Sequence, residues 1–98
     1  MDKYYYLLMY DIGEDKRRTR LQKKLLKKEW CMLQYSVYIK YTNMVDITAM
    51  LPKLTPLVKE QEHDSLFYTR VHLSTLIDSP FASKLGQYLS EEIEQVFL

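Results

Sequence analysis

An aspartate that directly follows seven uninterrupted apolar residues has little to do for packing and is well placed for chemistry. Asp11 stands in that position, after the YYYLLMY run of residues 4–10. A carboxylate where a strand leaves the core is within reach of a metal ion or of a phosphate-bound metal. The competing role is structural, with Asp11 accepting from amides of the turn at Gly13. Downstream, Lys16, Arg17, Arg18, Arg20, Lys23, Lys24, Lys27 and Lys28 place eight of the fourteen basic residues within thirteen positions. Arginines grip phosphates bidentately and lysines add point charges. Arg17, Arg18, Arg20, Lys16, Lys23 and Lys27 are therefore the candidate contacts to a nucleic-acid backbone, with no base readout implied. A solvated helix face is the alternative reading of the same charges.

Other constellations are weaker. His63 falls in a polar stretch and His72 in an alternating one, neither at a metal-ligand spacing from Cys31. No glycine-rich phosphate loop occurs. Ser36 has no evident base beside it. Glu14 and Asp15 are near enough in sequence to assist Asp11 through water, although Asp15 is better placed to cap the helix that follows.

The chain of 98 residues, 47% hydrophobic and 28% charged, has the composition of one folded domain. Its formal charge of +1 hides an uneven spread, since Glu91, Glu92 and Glu94 make the carboxyl end acidic. Nine tyrosines suit surfaces that are half apolar and half wet. A lone Cys31 excludes an internal disulfide and fits a reducing, cytoplasmic setting. Met-Asp-Lys followed by seven apolar residues does not read as a signal segment, and no run reaches membrane-spanning length.

These residues need a scaffold. The two-sided apolar run predicts a central strand, Gly13 a turn, and Asp15 the N-cap of a helix over residues 16–28 with Leu21, Leu25 and Leu26 as its apolar stripe. Residues 31–42 alternate with period two, and Ser36 allows a bend that divides them into two strands. Asn43 or Asp46 caps a second helix carrying Ile47, Met50, Leu51, Leu54, Leu57 and Val58, with Pro52 and Pro56 predicting a kink or a late start. Residues 59–64 read as a loop and 65–73 as a strand. Ser79 and Pro80 open a last helix with Phe81, Leu85, Tyr88 and Leu89 on one face, weakened by Gly86; a short strand through Val96, Phe97 and Leu98 is the alternative. The order is that of an α+β, ferredoxin-like split βαβ sandwich (βαββαβ), with an extension over residues 76–98. A first strand apolar on both sides needs cover on its second face, and a second copy of the chain is the expected cover.

The strand ending Tyr10-Asp11-Ile12, the following Asp15-Lys16-Arg17-Arg18 and the Gln34-Tyr35-Ser36-Val37-Tyr38 of the next strand resemble the CRISPR-associated protein 2 family. The resemblance spans residues 4–73. It implies a homodimer that binds duplex DNA and bridges dimers of the CRISPR-associated protein 1 integrase during spacer acquisition. It also implies Asp11 as a magnesium ligand facing its mate across the two-fold axis, and in some members a metal-dependent endonuclease. One carboxylate is a poor site for magnesium, which takes six oxygens and keeps its waters, but two copies of Asp11 make a usable pair. The family often has glycine between the first helix and second strand, where this chain has Lys28, Glu29 and Trp30. Since fold alone does not assign function, a toxin ribonuclease or the dimer domain of a transcriptional regulator remains the alternative.

Overall fold

The computed structural model describes residues 2–77, and its elements follow the expected order. Strand β1 (Tyr4–Asp11) leads to helix α1 (Asp15–Lys27). Strands β2 (Cys31–Gln34) and β3 (Val37–Thr42) come next, then helix α2 (Met44–Leu54). Two 3-10 turns (Thr55–Leu57 and Glu60–Glu62), strand β4 (Ser65–Val71) and the short helix α3 (Leu73–Ile77) complete it. The four strands form one antiparallel sheet in the order β2-β3-β1-β4. This is a ferredoxin-like α+β fold. The predicted last helix from Ser79 and the acidic residues Glu91, Glu92 and Glu94 lie outside the described residues.

β1 occupies the interior of the sheet, as its double-sided apolar character requires. Tyr6, Leu8 and Tyr10 point to the face covered by α1 and α2, where they pack with Leu21, Leu25, Trp30, Tyr38, Ile47, Met50 and Leu54. Tyr5, Leu7 and Met9 alternate with them and face the other side. There α3 covers part of the sheet with Leu76, which packs against Tyr5 and Ile39. The register Met9↔Phe67 and Asp11↔Ser65 carries this open face to the start of β4, where Phe67 is 55% exposed.

The turns explain where sequence and structure part. The period-two run divides at Tyr35 and Ser36, with a bulge between Met32 and Gln34. Ser36 takes the left-handed conformation (φ 66), and its carbonyl accepts from the Tyr10 amide at 3.1 Å. α1 ends in a paired C-terminal cap: the Trp30 amide reaches the Leu25 carbonyl and the Glu29 amide the Leu26 carbonyl, both at 3.0 Å. Glu29 stands at φ 67, the left-handed position that favours glycine. Gly13, by contrast, has no positive φ, so its turn does not require glycine. Leu26 is exposed, not part of the α1 stripe. α2 starts where its apolar pattern starts, with the Asn43 side chain accepting from the Asp46 amide at 2.9 Å. It runs through Pro52 and gives way to 3-10 geometry at Pro56. β4 ends at Val71, two residues short of the predicted limit, because α3 begins at Leu73.

Candidate functional site

Asp11 is the last residue of β1 and sits opposite Ser65 at the open-face end of the sheet. It is exposed, and among the described residues its carboxylate has no hydrogen-bond or ion-pair partner. The turn-capping role belongs instead to Asp64. Its Oδ1 accepts from the Gly13 amide at 3.1 Å, and its Oδ2 accepts from the Lys59 amide at 3.0 Å. Asp64 thereby ties the exit of β1 to the entry of β4, and Asp11 and Ser65 are the adjoining pair.

Arg17 completes that clamp and departs most from the sequence reading. Expected among the phosphate contacts, it is only 6% exposed. Its Nη2 bonds Asp64 Oδ2 at 2.6 Å and pairs with Glu62 Oε2 at 2.7 Å. Nη1 bonds Glu14 Oε2 at 3.0 Å, and Nε donates to the Leu57 carbonyl at 3.1 Å. With its donors committed to three carboxylates and a carbonyl, Arg17 holds structure. Burial by itself would raise the Asp64 carboxyl, but the Arg17 guanidinium and the amides of Lys59 and Gly13 outweigh it and hold the group below its ordinary 3.8. Sequence spacing carried the signal: Arg17 precedes Leu21 and Leu25 at intervals of four, on the buried stripe of α1. Asp64, at the end of a polar segment, carries no such signal in the sequence.

Arg18 is also engaged. It bonds the Asp15 carboxylate, donates to the Ile12 carbonyl at 3.0 Å and lies 6.0 Å from the centre of the exposed Tyr35 ring. Asp15 is thus the first helical residue and an ion-pair partner, while Glu14 occupies the N-cap position without a side-chain cap bond. Neither acid is free to assist Asp11. Lys16, Arg20, Lys23 and Lys27 remain as the unpaired set. All are exposed, and none has an ion pair among the described residues. Their spacing of four, three and four aligns them along one side of α1 over about 17 Å.

The structure does not bring Asp11 and this basic stripe together. Asp11 alternates with Tyr10 and so belongs to the open face, whereas α1 lies on the other. Among the described residues no group of three or more His, Cys, Asp or Glu side chains can hold a metal ion. A single chain therefore offers magnesium one carboxylate where six oxygens are wanted, and does not by itself make the site. His63 caps a 3-10 turn at φ 65, and His72 links β4 to α3.

A small antiparallel sheet with two helices on one face, an acid at the end of its central strand and a basic first helix defines the class. The family model for CRISPR associated protein Cas2 matches residues 4–75, and the chain belongs to that family. A solved structure of a hypothetical protein from Thermus thermophilus is similar, with 27% identity and a TM-score of 0.62. The match covers 71% of this chain and 83% of the other. No match was found among curated proteins. Among the described residues, no helix is long and apolar enough to cross a membrane.

Proposed function

We propose that the chain serves CRISPR adaptation as a homodimer that holds duplex DNA and bridges integrase dimers. The observation that carries this reading is the family match over residues 4–75, which covers every element of the sheet and both of its helices. Two features support it. The end of the open face keeps Met9, Val37 and Phe67 at least partly exposed, an apolar strip suited to a second copy of the same surface. The α1 stripe of Lys16, Arg20, Lys23 and Lys27 offers charge to phosphates and carries no base-reading geometry.

A second reading is favoured by Asp11. Its exposed, unpartnered carboxylate fits a metal-dependent endonuclease in which two copies meet across the dimer axis. Magnesium held by the pair and by its own waters would stabilise charge on a scissile phosphate. Asp64 and Arg17 hold the strand end that presents Asp11.

Integration in vitro with the integrase separates the readings. Full activity of an Asp11→Ala variant leaves holding and bridging as the role. Cleavage of DNA or RNA in magnesium or manganese that disappears with the same change supports the second. Purified protein that neither enters an integrase complex nor binds duplex DNA overturns the first.

A further inference from the structure

The helix-covered side of the molecule carries a groove between α1 and α2 that shares only Lys27 with the stripe of the DNA-holding reading. A recess of about 280 Å³ is lined by Lys28, Trp30, Lys40, Thr42, Asp46, Ile47, Ala49, Met50 and Lys53. A neighbouring recess of about 190 Å³ shares Lys28, Met50 and Lys53 with it and adds Lys24 and Lys27. The two form one groove with five lysines on its walls and a single carboxylate, Asp46.

The lysines are set in place by the fold. Lys28 follows the last turn of α1, and its carbonyl accepts from Lys40 Nζ at 2.6 Å, which leans the Lys40 side chain across the groove. Lys24, Lys27, Lys28 and Lys53 have no ion-pair partner among the described residues. Such a concentration of one sign is self-repelling without an anion to bridge it. The floor is apolar and buried, with Trp30, Ile47 and Met50 in the core cluster. Thr42 Oγ1 donates to Asp46 Oδ2 at 3.1 Å, which steadies the carboxylate.

We infer that this groove binds a nucleoside 5′-phosphate, supplied either as a free nucleotide or as the phosphorylated end of a nucleic-acid strand. Lys28, Lys40 and Lys53 hold the phosphomonoester, a dianion that suits clustered ammonium groups. The larger recess falls just under the roughly 300–1,000 Å³ of small-molecule sites, so it has room for a sugar and part of a base beside the phosphate. Asp46 accepts from sugar or base donors, and the apolar floor takes the ring. A duplex laid across the helices touches only the rim. The inference does not depend on how the chain assembles or on Asp11.

Trp30 is the only tryptophan of the sequence and lines the recess, so its fluorescence reports on occupancy. The 98-residue protein is titrated at fixed ionic strength with AMP, orthophosphate, and a short single strand with or without a 5′-phosphate. A saturable change with AMP supports a free nucleotide. A change with the phosphorylated strand, absent without its phosphate, supports a strand end. Lys28→Glu with Lys53→Glu weakens either by about tenfold or more, two exposed attractions having become repulsions. Both residues are exposed surface positions outside the α1 stripe, and circular dichroism checks that the variant folds. Lys59→Glu, an exposed position in the loop before β4 that belongs neither to the groove nor to the α1 stripe, leaves the affinity within about twofold, once long-range fields are screened. Orthophosphate binding as tightly as AMP, no saturable change with any probe, or unchanged affinity in the double variant overturns the inference.

Discussion

If the chain holds duplex DNA as proposed, the salt dependence of that binding is fixed by how many basic side chains α1 leaves free, and the structure gives fewer than the sequence does. Six residues were candidates, but Arg17 is buried among carboxylates and Arg18 is tied to Asp15 and the Ile12 carbonyl. Lys16, Arg20, Lys23 and Lys27 remain. If one duplex contacts a single stripe, four neutralised phosphates give a slope of log affinity on log salt of about −3.6, and affinity falls ~150-fold between 50 and 200 mM. If both subunits present their stripes to one duplex, the slope is about −7 and the loss ~20,000-fold. Fluorescence anisotropy with a labelled duplex across that range reads the slope. Arg20→Ala with Lys23→Ala makes it shallower by about 1.8 in the first case and about 3.6 in the second. Affinity falls alike for unrelated sequences, since no base is read. A flat salt response, or a slope unchanged in the double variant, refutes the assignment of the stripe.

Three further outcomes follow from the packing. The folded Asp64 carboxyl lies below its ordinary value, so the stability it supplies is present at neutral pH and is lost as pH falls below about 4 through the depressed folded value. Asp64→Asn is therefore less stable at pH 7 and flatter on the acid limb of urea unfolding; a parallel acid limb contradicts the clamp. Glu29→Gly relieves a left-handed glutamate and raises stability by about 1 kcal/mol, a melting shift of ~4–8 °C for a domain this size, provided that the cap bonds persist. A lower melting temperature counts against that geometry. Among the described residues no hydrogen bond of good geometry reaches the buried Tyr38 hydroxyl, and burial, with the neighbouring Tyr10 hydroxyl second, holds its ionisation well above the ordinary range. Tyr38→Phe is accordingly neutral to stabilising by ~1 kcal/mol in chemical denaturation, and a clear loss shows that the hydroxyl has a partner.

The fold was legible because its signals are local. The unbroken apolar run of β1, the alternation through β2 and β3 and the Asn43 cap each follow from neighbours in sequence. What was not legible depends on residues far apart. Asp64 lies 47 positions from Arg17, so no reading of the basic segment alone shows that one arginine is matched to a distant acid. The offsets linking Arg17 to Leu21 and Leu25 did mark it as inward-facing, but a run of charges obscured that pattern. The Glu29 turn shows the same limit. Left-handed backbone favours glycine, yet two cap hydrogen bonds hold a glutamate at φ 67. For Asp11 the strand-end position was read from sequence, whereas its separation from the α1 stripe by the thickness of the sheet required the register.

The account turns on a second copy meeting the open face of the sheet near Met9, Phe67 and Asp11. Sedimentation equilibrium of the full chain measures this directly, with Phe67→Glu as the matched variant. The expected mass is twice the 11.8 kDa of one chain for the parent protein, and a shift toward the single chain for Phe67→Glu. A parent protein that sediments as a single chain at every concentration contradicts the account.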